Sequence, residues 1–349
     1  MDLVCPRCRR LLQEQSVTLA CPSCGSSYRT LRGIPDLRTV DDEFLSNRDD
    51  WDLALRLDAA YDRLDFPGLL NHYYDLVGDV PADLRARQIA HILSAPARAE
   101  QWMDSLGARA ARGPILDLGC GPGSFLATNC PDDRSWVGLD IAMRWLILAR
   151  KRLDEEGKSD VRVVCGCAEM LPFADRSFSA IIGGDVIEHV RDQAATLAEA
   201  HRVLEPLGRA FFATPNRFSL APEPHVGVWG VGYLPRKWMQ PYVHFLRKID
   251  FRAIHTLGWS EWKRLLRRSP FETSAIFAPS LPVAEVHRFS GLKQLAARLY
   301  NRVVQTRPGQ VAARTIGPLF HIVAERSTDP LPAPIRAIRQ PSTLSASRP

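Results

Sequence analysis

Four cysteines among the first 24 residues carry the plainest chemistry of this 349-residue chain. They fall as Cys5-Pro-Arg-Cys8 and Cys21-Pro-Ser-Cys24, two Cys-x-x-Cys pairs separated by twelve residues. Two such turns aim four thiolates at one point, and Zn2+ takes four soft ligands in a tetrahedron. A structural zinc on Cys5, Cys8, Cys21 and Cys24 is therefore expected. A second chemical group lies in the run Pro114-Ile-Leu-Asp-Leu-Gly-Cys-Gly-Pro-Gly-Ser-Phe125. Its glycines are spaced G-x-G-x-G (Gly119, Gly121, Gly123), and Pro122 removes a backbone donor from the loop, which suits a ligand without phosphates. Asp117 stands just before the glycines, where a carboxylate would repel a pyrophosphate but could bind an ammonium group. Asp140 follows 23 residues later, the place of a carboxylate that holds ribose hydroxyls. His189 and His225 are the candidate proton-handling residues, with Glu188 and Asp185 beside the first of them.

These residues need a frame. Ile115 to Leu118 is a short apolar run that ends in glycines, as a buried parallel strand turning into a helix does. Further strands are expected at 136–140, 161–164, 179–182, 209–216 and 318–325, with a helix ahead of the first strand at about 82–111 and another at 194–204. Strands alternating with helices make a doubly wound, Rossmann-like parallel sheet. Around the cysteines, Val17 to Ala20 and Ser27 to Leu31 alternate like short strands. A module of about 35 residues is too small to stand on its own core, which gives a metal a physical purpose.

The cysteine segment, ending in Arg32-Gly-Ile-Pro-Asp-Leu37, resembles the zinc-ribbon modules found beside many bacterial methyltransferases. It also looks like the small activator subunit of some tRNA and translation-factor methyltransferases, and so implies a docking module for a protein partner. The segment from Ile115 to Asn216, with a last strand at 318–325, resembles a class I S-adenosylmethionine-dependent methyltransferase of the type 11, UbiE-like kind. The matching residues are DLGCGPGSF, GLDIA, AEMLPF, DVIEHV and RVLEPLG. The resemblance implies a seven-stranded sheet and S-adenosylmethionine as cofactor. Asp117, Gly119 and Gly121 would line its methionine end, Asp140 its ribose, Cys167 and Ala168 its adenine, and Ile141 and Asp185 would also lie at the cofactor. The family usually has an acid where Cys167 stands and an aspartate where Ser179 stands. Asp185, Glu188 and His189 also resemble a metal-binding cluster of some quinone-biosynthesis O-methyltransferases.

Composition and charge bound the rest. With 46% hydrophobic and 24% charged residues, the chain has the makings of an ordinary folded core. The start, MDLVCPRC, lacks the charged-then-apolar pattern of a secretory signal, so a cytoplasmic protein is expected, with peripheral membrane contact open. Residues 1–216 hold 25 Lys+Arg against 32 Asp+Glu, whereas 217–349 hold 20 against 7. The basic part could face nucleic acid, phospholipid or a phosphorylated substrate. The expected organisation is a zinc ribbon at 1–38, an acidic helical linker at 39–81, the sheet domain at 82–326 and a disordered tail at 327–349. Insertions are expected at about 217–258 and 283–313. The first, rich in aromatic and basic residues, is expected as a cap with Trp229 and Tyr233 facing the cofactor cleft and His225 near the acceptor. In the second, Leu292, Leu295, Leu299 and Val303 share one helical face, expected to pack on the body rather than on a membrane. The leading function is methylation of an O or N on a small-molecule, glycan or lipid-linked acceptor. RNA methylation and a non-catalytic binding module are the alternatives.

Overall fold

The computed structural model describes residues 2–15, 18–78, 80–93, 98–99, 101–103, 113–129 and 135–327. Residues 328–349 of the expected tail, most of the expected helix between 94 and 111, and Val17 lie outside them. The chain opens with a small antiparallel sheet of β1 (Gln13–Gln15), β2 (Thr18–Ala20), β3 (Ser27–Leu31) and β4 (Ile34–Pro35). Its turns bring the four cysteine sulfurs together: Cys5 Sγ is 3.6 Å from Cys24 Sγ, and Cys8 Sγ is 3.4 Å from Cys21 Sγ.

This module does not stand apart. Cys5, Leu19, Tyr28 and Leu37 belong to the same apolar cluster as Phe173 and Leu197 of the main body. The Val4 amide donates to the Pro172 carbonyl at 3.0 Å, and the Leu37 amide to the Cys165 carbonyl at 2.8 Å. The second contact lies along the outer strand of the large sheet, whose backbone groups would otherwise be open to another chain. The ribbon therefore rests on the chain's own sheet domain.

Two helices follow, α1 (Asn47–Ala60) and α2 (Phe66–Val77), then α3 (Ala82–Leu93). Ser46 and Asp65 cap the first two, accepting from the amides of Asp49 and Gly68, the usual signature of a helix start. Leu57, Leu69 and Leu70 pack with Met143, Leu146 and Ile147 in one core. The stretch 39–81, expected as a linker, is therefore part of the body. Its many aspartates hid this, because most of them, such as Asp49, Asp52, Asp62 and Asp75, lie exposed on or beside helices whose inner faces are apolar.

The large sheet is built from β5 (Ile115–Leu118), α4 (Ser124–Asn129), β6 (Trp136–Asp140), α5 (Met143–Glu155), β7 (Arg162–Cys165), β8 (Phe178–Gly184), α6 (Gln193–Val203) and β9 (Leu204–Pro215). After β9 come α7 (Arg236–Arg247), α8 (Trp259–Arg268), β10 (Thr273–Phe277), α9 (Val283–Arg288), α10 (Gly291–Val303), α11 (Arg307–Ile316) and β11 (Leu319–Glu325). The strand order is β10-β11-β9-β8-β5-β6-β7. β9, β8, β5, β6 and β7 are parallel, while β11 runs antiparallel to β9 and β10 antiparallel to β11. Seven strands were expected, but β10 has no sequence signal of its own, since it is a largely exposed edge. Among the described residues, no helix is long and apolar enough to cross a membrane.

One buried charge cluster ties these parts together. α5 starts at Ala142 without a side-chain cap of its own. Asp50 of α1, fully buried, supplies it from outside: its carboxylate accepts from the Met143 amide at 2.9 Å and from Arg144 Nη1 at 2.6 Å. The same carboxylate accepts from Arg38 Nη1 at 2.6 Å, and Arg38 in turn forms a two-pronged bond with Asp36. Arg144 also reaches Asp42 at 3.0 Å. Removing the central anion leaves two guanidinium groups facing each other in a dry site and a helix N-terminus unsatisfied. Asp50→Ala should destabilise the protein by about 3 kcal/mol in urea titration, at the low end for breaking a buried pair. An unchanged midpoint would contradict this role.

Candidate active site

The carboxyl end of β5 forms the first wall. Gly119 has φ +74, and a Cβ there would meet the Val186 side chain at 2.5 Å, so the position takes only glycine. Its amide and that of Cys120 donate to the Leu139 carbonyl, which folds the loop over the end of β6. Asp140, the last residue of β6, accepts from the amides of Gly121 and Ala142, both at 2.8 Å. Enclosure raises its carboxyl to about 6, against the pull of those two amides. Asp117 is buried with Oδ2 lacking a partner among the described residues. Burial, and then the nearby Asp140 charge, push it up to about 8. An orphaned carboxylate held beside a second one is a site that a cation would satisfy.

Ile141, Cys167 and Ala168 lie along the next edge. The Ile141 carbonyl accepts from Arg38 at 3.2 Å, and Cys167 is buried with Thr39 Oγ1 3.8 Å from its sulfur. Thr39, which sequence reasoning did not single out, also contacts Met170 Sδ at 3.4 Å. The other departure from the family pattern, Ser179, donates its hydroxyl to the Pro114 carbonyl at 3.1 Å and so closes the start of β5.

Beyond β8 the chain turns sharply. Asp185 has φ +53, left-handed for a non-glycine residue, and its amide is held by the Ala213 carbonyl at 2.9 Å. Enclosure would raise the Asp185 carboxyl, but His91 of α3, 3.5 Å away, holds it below the usual range. Glu188 is fully buried: Oε2 accepts from Thr214 at 3.0 Å, while Oε1 has no hydrogen-bond partner among the described residues. Burial and the Asp185 charge push its carboxyl up to about 8. His225 comes from the insertion after β9, and its ring lies 4.7 Å from that of His189, edge to face. Its Nδ1 is 2.6 Å from Glu223 Oε1, and its Nε2 is 3.8 Å from Glu188 Oε1. Burial would lower His225, but Glu223, Glu188 and Asp185 outweigh it and raise it to about 9. His189 is driven the other way, to about 3, by burial and by the His225 charge. The corner therefore pairs an imidazolium with a neutral imidazole and a carboxyl poised near neutrality. Glu188, His189 and His225 also offer three ligand atoms within 4.8 Å of one another.

Both expected histidines are thus brought together, and Glu223 and Thr214 are the partners that sequence reasoning missed. Glu223 had a signal, standing two residues before His225 in Glu-Pro-His. Trp229 and Tyr233 are not in this corner. They are 60% and 46% exposed and stack on each other, and they donate to the Leu220 and Phe218 carbonyls. The insertion's own core is mostly aliphatic, built on Val226, Val228, Val231, Met239 and Val243.

Residues 116–212 match the family model described as a methyltransferase domain. An uncharacterized 37.1 kDa protein in transposon TN4556 of Streptomyces fradiae is 38% identical over 34% of this chain and 34% of its own. Demethylmenaquinone methyltransferase of Lactococcus lactis is 35% identical over 27% of this chain and 39% of its own. Ubiquinone biosynthesis O-methyltransferase of Aromatoleum aromaticum is 28% identical over 53% of this chain and 75% of its own. The chain spans little more than a third of the length of the first two relatives. The segment that matches the methyltransferase domain carries the Gly119 turn, Asp140 and the Asp185–His189 corner.

Proposed function

We propose that the protein transfers a methyl group from S-adenosylmethionine to an oxygen or nitrogen of a small-molecule, glycan or lipid-linked acceptor. The observation that supports this best is the orphaned Asp117 carboxylate, set beside a glycine turn and Asp140 at the carboxyl end of the sheet. That site fits the cofactor's charges: Asp117 would take its ammonium group, Asp140 its ribose hydroxyls, and Ile141, Cys167 and Ala168 the base. When bound, the cofactor supplies a methyl group activated by a sulfonium, so the protein's task is to hold the acceptor and manage its proton. Glu188, ionised, would accept that proton, and the His225 imidazolium would steady the negative charge that develops on the acceptor. His189, neutral and buried, would shape the corner and keep water out. RNA methylation stays the second reading, since the basic half of the chain accepts either acceptor.

The four cysteines fit zinc. Their sulfurs lie within 4.8 Å of one another, and a tetrahedral site with bonds of about 2.3 Å needs sulfurs about 3.8 Å apart. All four positions come from protein, so the ion would be structural and would lock the ribbon against the edge of the large sheet.

Calorimetry should show S-adenosylmethionine binding that Asp140→Ala weakens by about tenfold or more, and that Asp117→Asn also weakens. No binding by the wild type would favour a scaffold role. Elemental analysis should find about one zinc ion per chain, lost in Cys21→Ser. A zinc-free wild type would end that assignment. For the acid–base corner, an NMR titration should find His225 losing its proton near pH 9 and His189 showing no step between pH 5 and 9. Once an acceptor is found by labelled-methyl transfer into fractionated lysate, the rate should rise with pH toward about 8 as Glu188 ionises. Glu188→Gln should flatten that rise and cost about a hundredfold in turnover. Loss of activity on chelation that leaves the ribbon zinc in place would instead assign the corner to a metal ion, and label confined to RNA would overturn the acceptor choice.

A further inference from the structure

The second insertion is not packed as its sequence suggested. In α10, Leu292, Leu295 and Leu299 are 84%, 63% and 58% exposed, and Val303 is exposed as well. Ala297 is the one buried residue of the helix, and Asn301, on the same side, ties it to Leu281 through two hydrogen bonds of 2.7 and 2.8 Å. At about 100° per residue, Leu292, Leu295, Leu299 and Val303 point opposite to that attachment. The whole apolar stripe of the helix therefore faces away from the protein.

Charge flanks the stripe. Residues 289–324 carry five lysines and arginines and no acid. Arg298 and Arg302 lie on one side of the apolar row and Lys293 on the other, all exposed. Such long side chains lay their stems along an apolar surface and lift their charges to its edge. The cap adds a second exposed apolar edge. The Leu220 amide donates to the Ile316 carbonyl at 3.0 Å, and Trp229 Nε1 donates to the Leu220 carbonyl at 3.1 Å. Leu220, Ile316, Trp229 and Tyr233 thus form an exposed edge, and Trp and Tyr are the residues that favour a headgroup–hydrocarbon boundary.

From this geometry we infer that α10 docks in the plane of an anionic phospholipid bilayer, with the Leu220–Trp229 edge as a second contact. The leucine stripe enters the boundary, and Lys293, Arg298 and Arg302 meet the lipid phosphates. An apolar stripe flanked by cations without acids complements this surface. A protein groove for the same helix would need acidic partners around an apolar floor.

The place of the helix gives docking a consequence. Phe277, the end of β10, is in register with His321, and His321 with Ala213, whose carbonyl holds the Asp185 amide. The insertion therefore leaves the sheet at the level of the active corner. Resting on the proposed methyl transfer, this would bring a lipid-borne acceptor to the site's rim. The docking itself does not depend on that reading.

Flotation of the full chain with vesicles tests it. Vesicles of phosphatidylcholine with about 30% phosphatidylglycerol should bind at least about tenfold more protein than pure phosphatidylcholine. Raising the salt should weaken that binding. Leu295→Asp with Leu299→Asp should abolish it while leaving the thermal midpoint within a degree or two, because both side chains are exposed. Arg298→Gln with Arg302→Gln, which leaves the stripe intact, should lower it severalfold. Absent binding, or binding that survives the leucine substitutions, would overturn the proposal. So would sedimentation showing a dimer that those same substitutions dissolve, since the stripe would then belong to a second copy.

Discussion

The Asp50 carboxylate is the point on which the rest of the architecture hangs. It sits in a helix of the acidic stretch, yet it caps the helix that follows Asp140 and neutralises arginines from both sides. A carboxylate at a helix N-terminus is favoured by the unsatisfied amides and by the helix dipole. Two guanidinium partners then offset the cost of burying it. The position of Asp140 depends on this arrangement, because the turn between β6 and α5 begins at Asp140 and ends at the capped amides. Arg38, which leaves the cysteine module, carries the same constraint to the ribbon and donates to the Ile141 carbonyl on the way. Ribbon, acidic helices and sheet meet at this anion, which adds to the apolar cluster and backbone bonds that seat the ribbon.

The active corner rests on a different balance. Asp117, Asp140 and Glu188 are all raised by loss of water, and none of them has an arginine within an ion-pair contact among the described residues. The fold leaves Asp117 Oδ2 and Glu188 Oε1 without hydrogen-bond partners among the described residues, whereas it pairs Asp36 and Asp50 with arginine. Leaving a buried polar group unsatisfied costs stability, so the contrast separates structural acids from those available to ligands. His225 sharpens it, because the insertion after β9 brings a cation to a corner that the sheet alone would leave acidic.

The two insertions share an origin and a direction. Both leave the sheet at the carboxyl end of the parallel strands, where doubly wound folds bind their ligands. The Asn216 side chain fixes one to the other by donating to the carbonyls of Thr315 and Gly317. The first insertion has its own aliphatic core and turns its aromatic residues outward. The second buries Val286, Ala297, Val304 and Ala313 while its leucine stripe stays exposed. Their apolar exposure is a property of the pair rather than of one loose segment.

The sequence by itself determined the parts whose chemistry is local. Cys-x-x-Cys turns close on themselves, a buried strand ending in glycines announces its own turn, and β5 and β6 lie where their apolar runs predicted. Their side chains are buried on both faces, so neither strand needs outside help to be recognised. Tertiary structure decided whatever depended on a partner far along the chain. Nothing in the aspartate-rich stretch distinguishes Asp50 from its exposed neighbours, because only contact with Arg38 and Arg144 makes it a cap. His189 and His225 could be named as candidates, but their opposite protonation states come from Glu223, Glu188 and complete burial around them. The stripe of α10 was legible as amphipathic, yet periodicity reports that a helix has an apolar face and not which way that face turns. The direction was set by Asn301 and Ala297 holding the opposite side to the body.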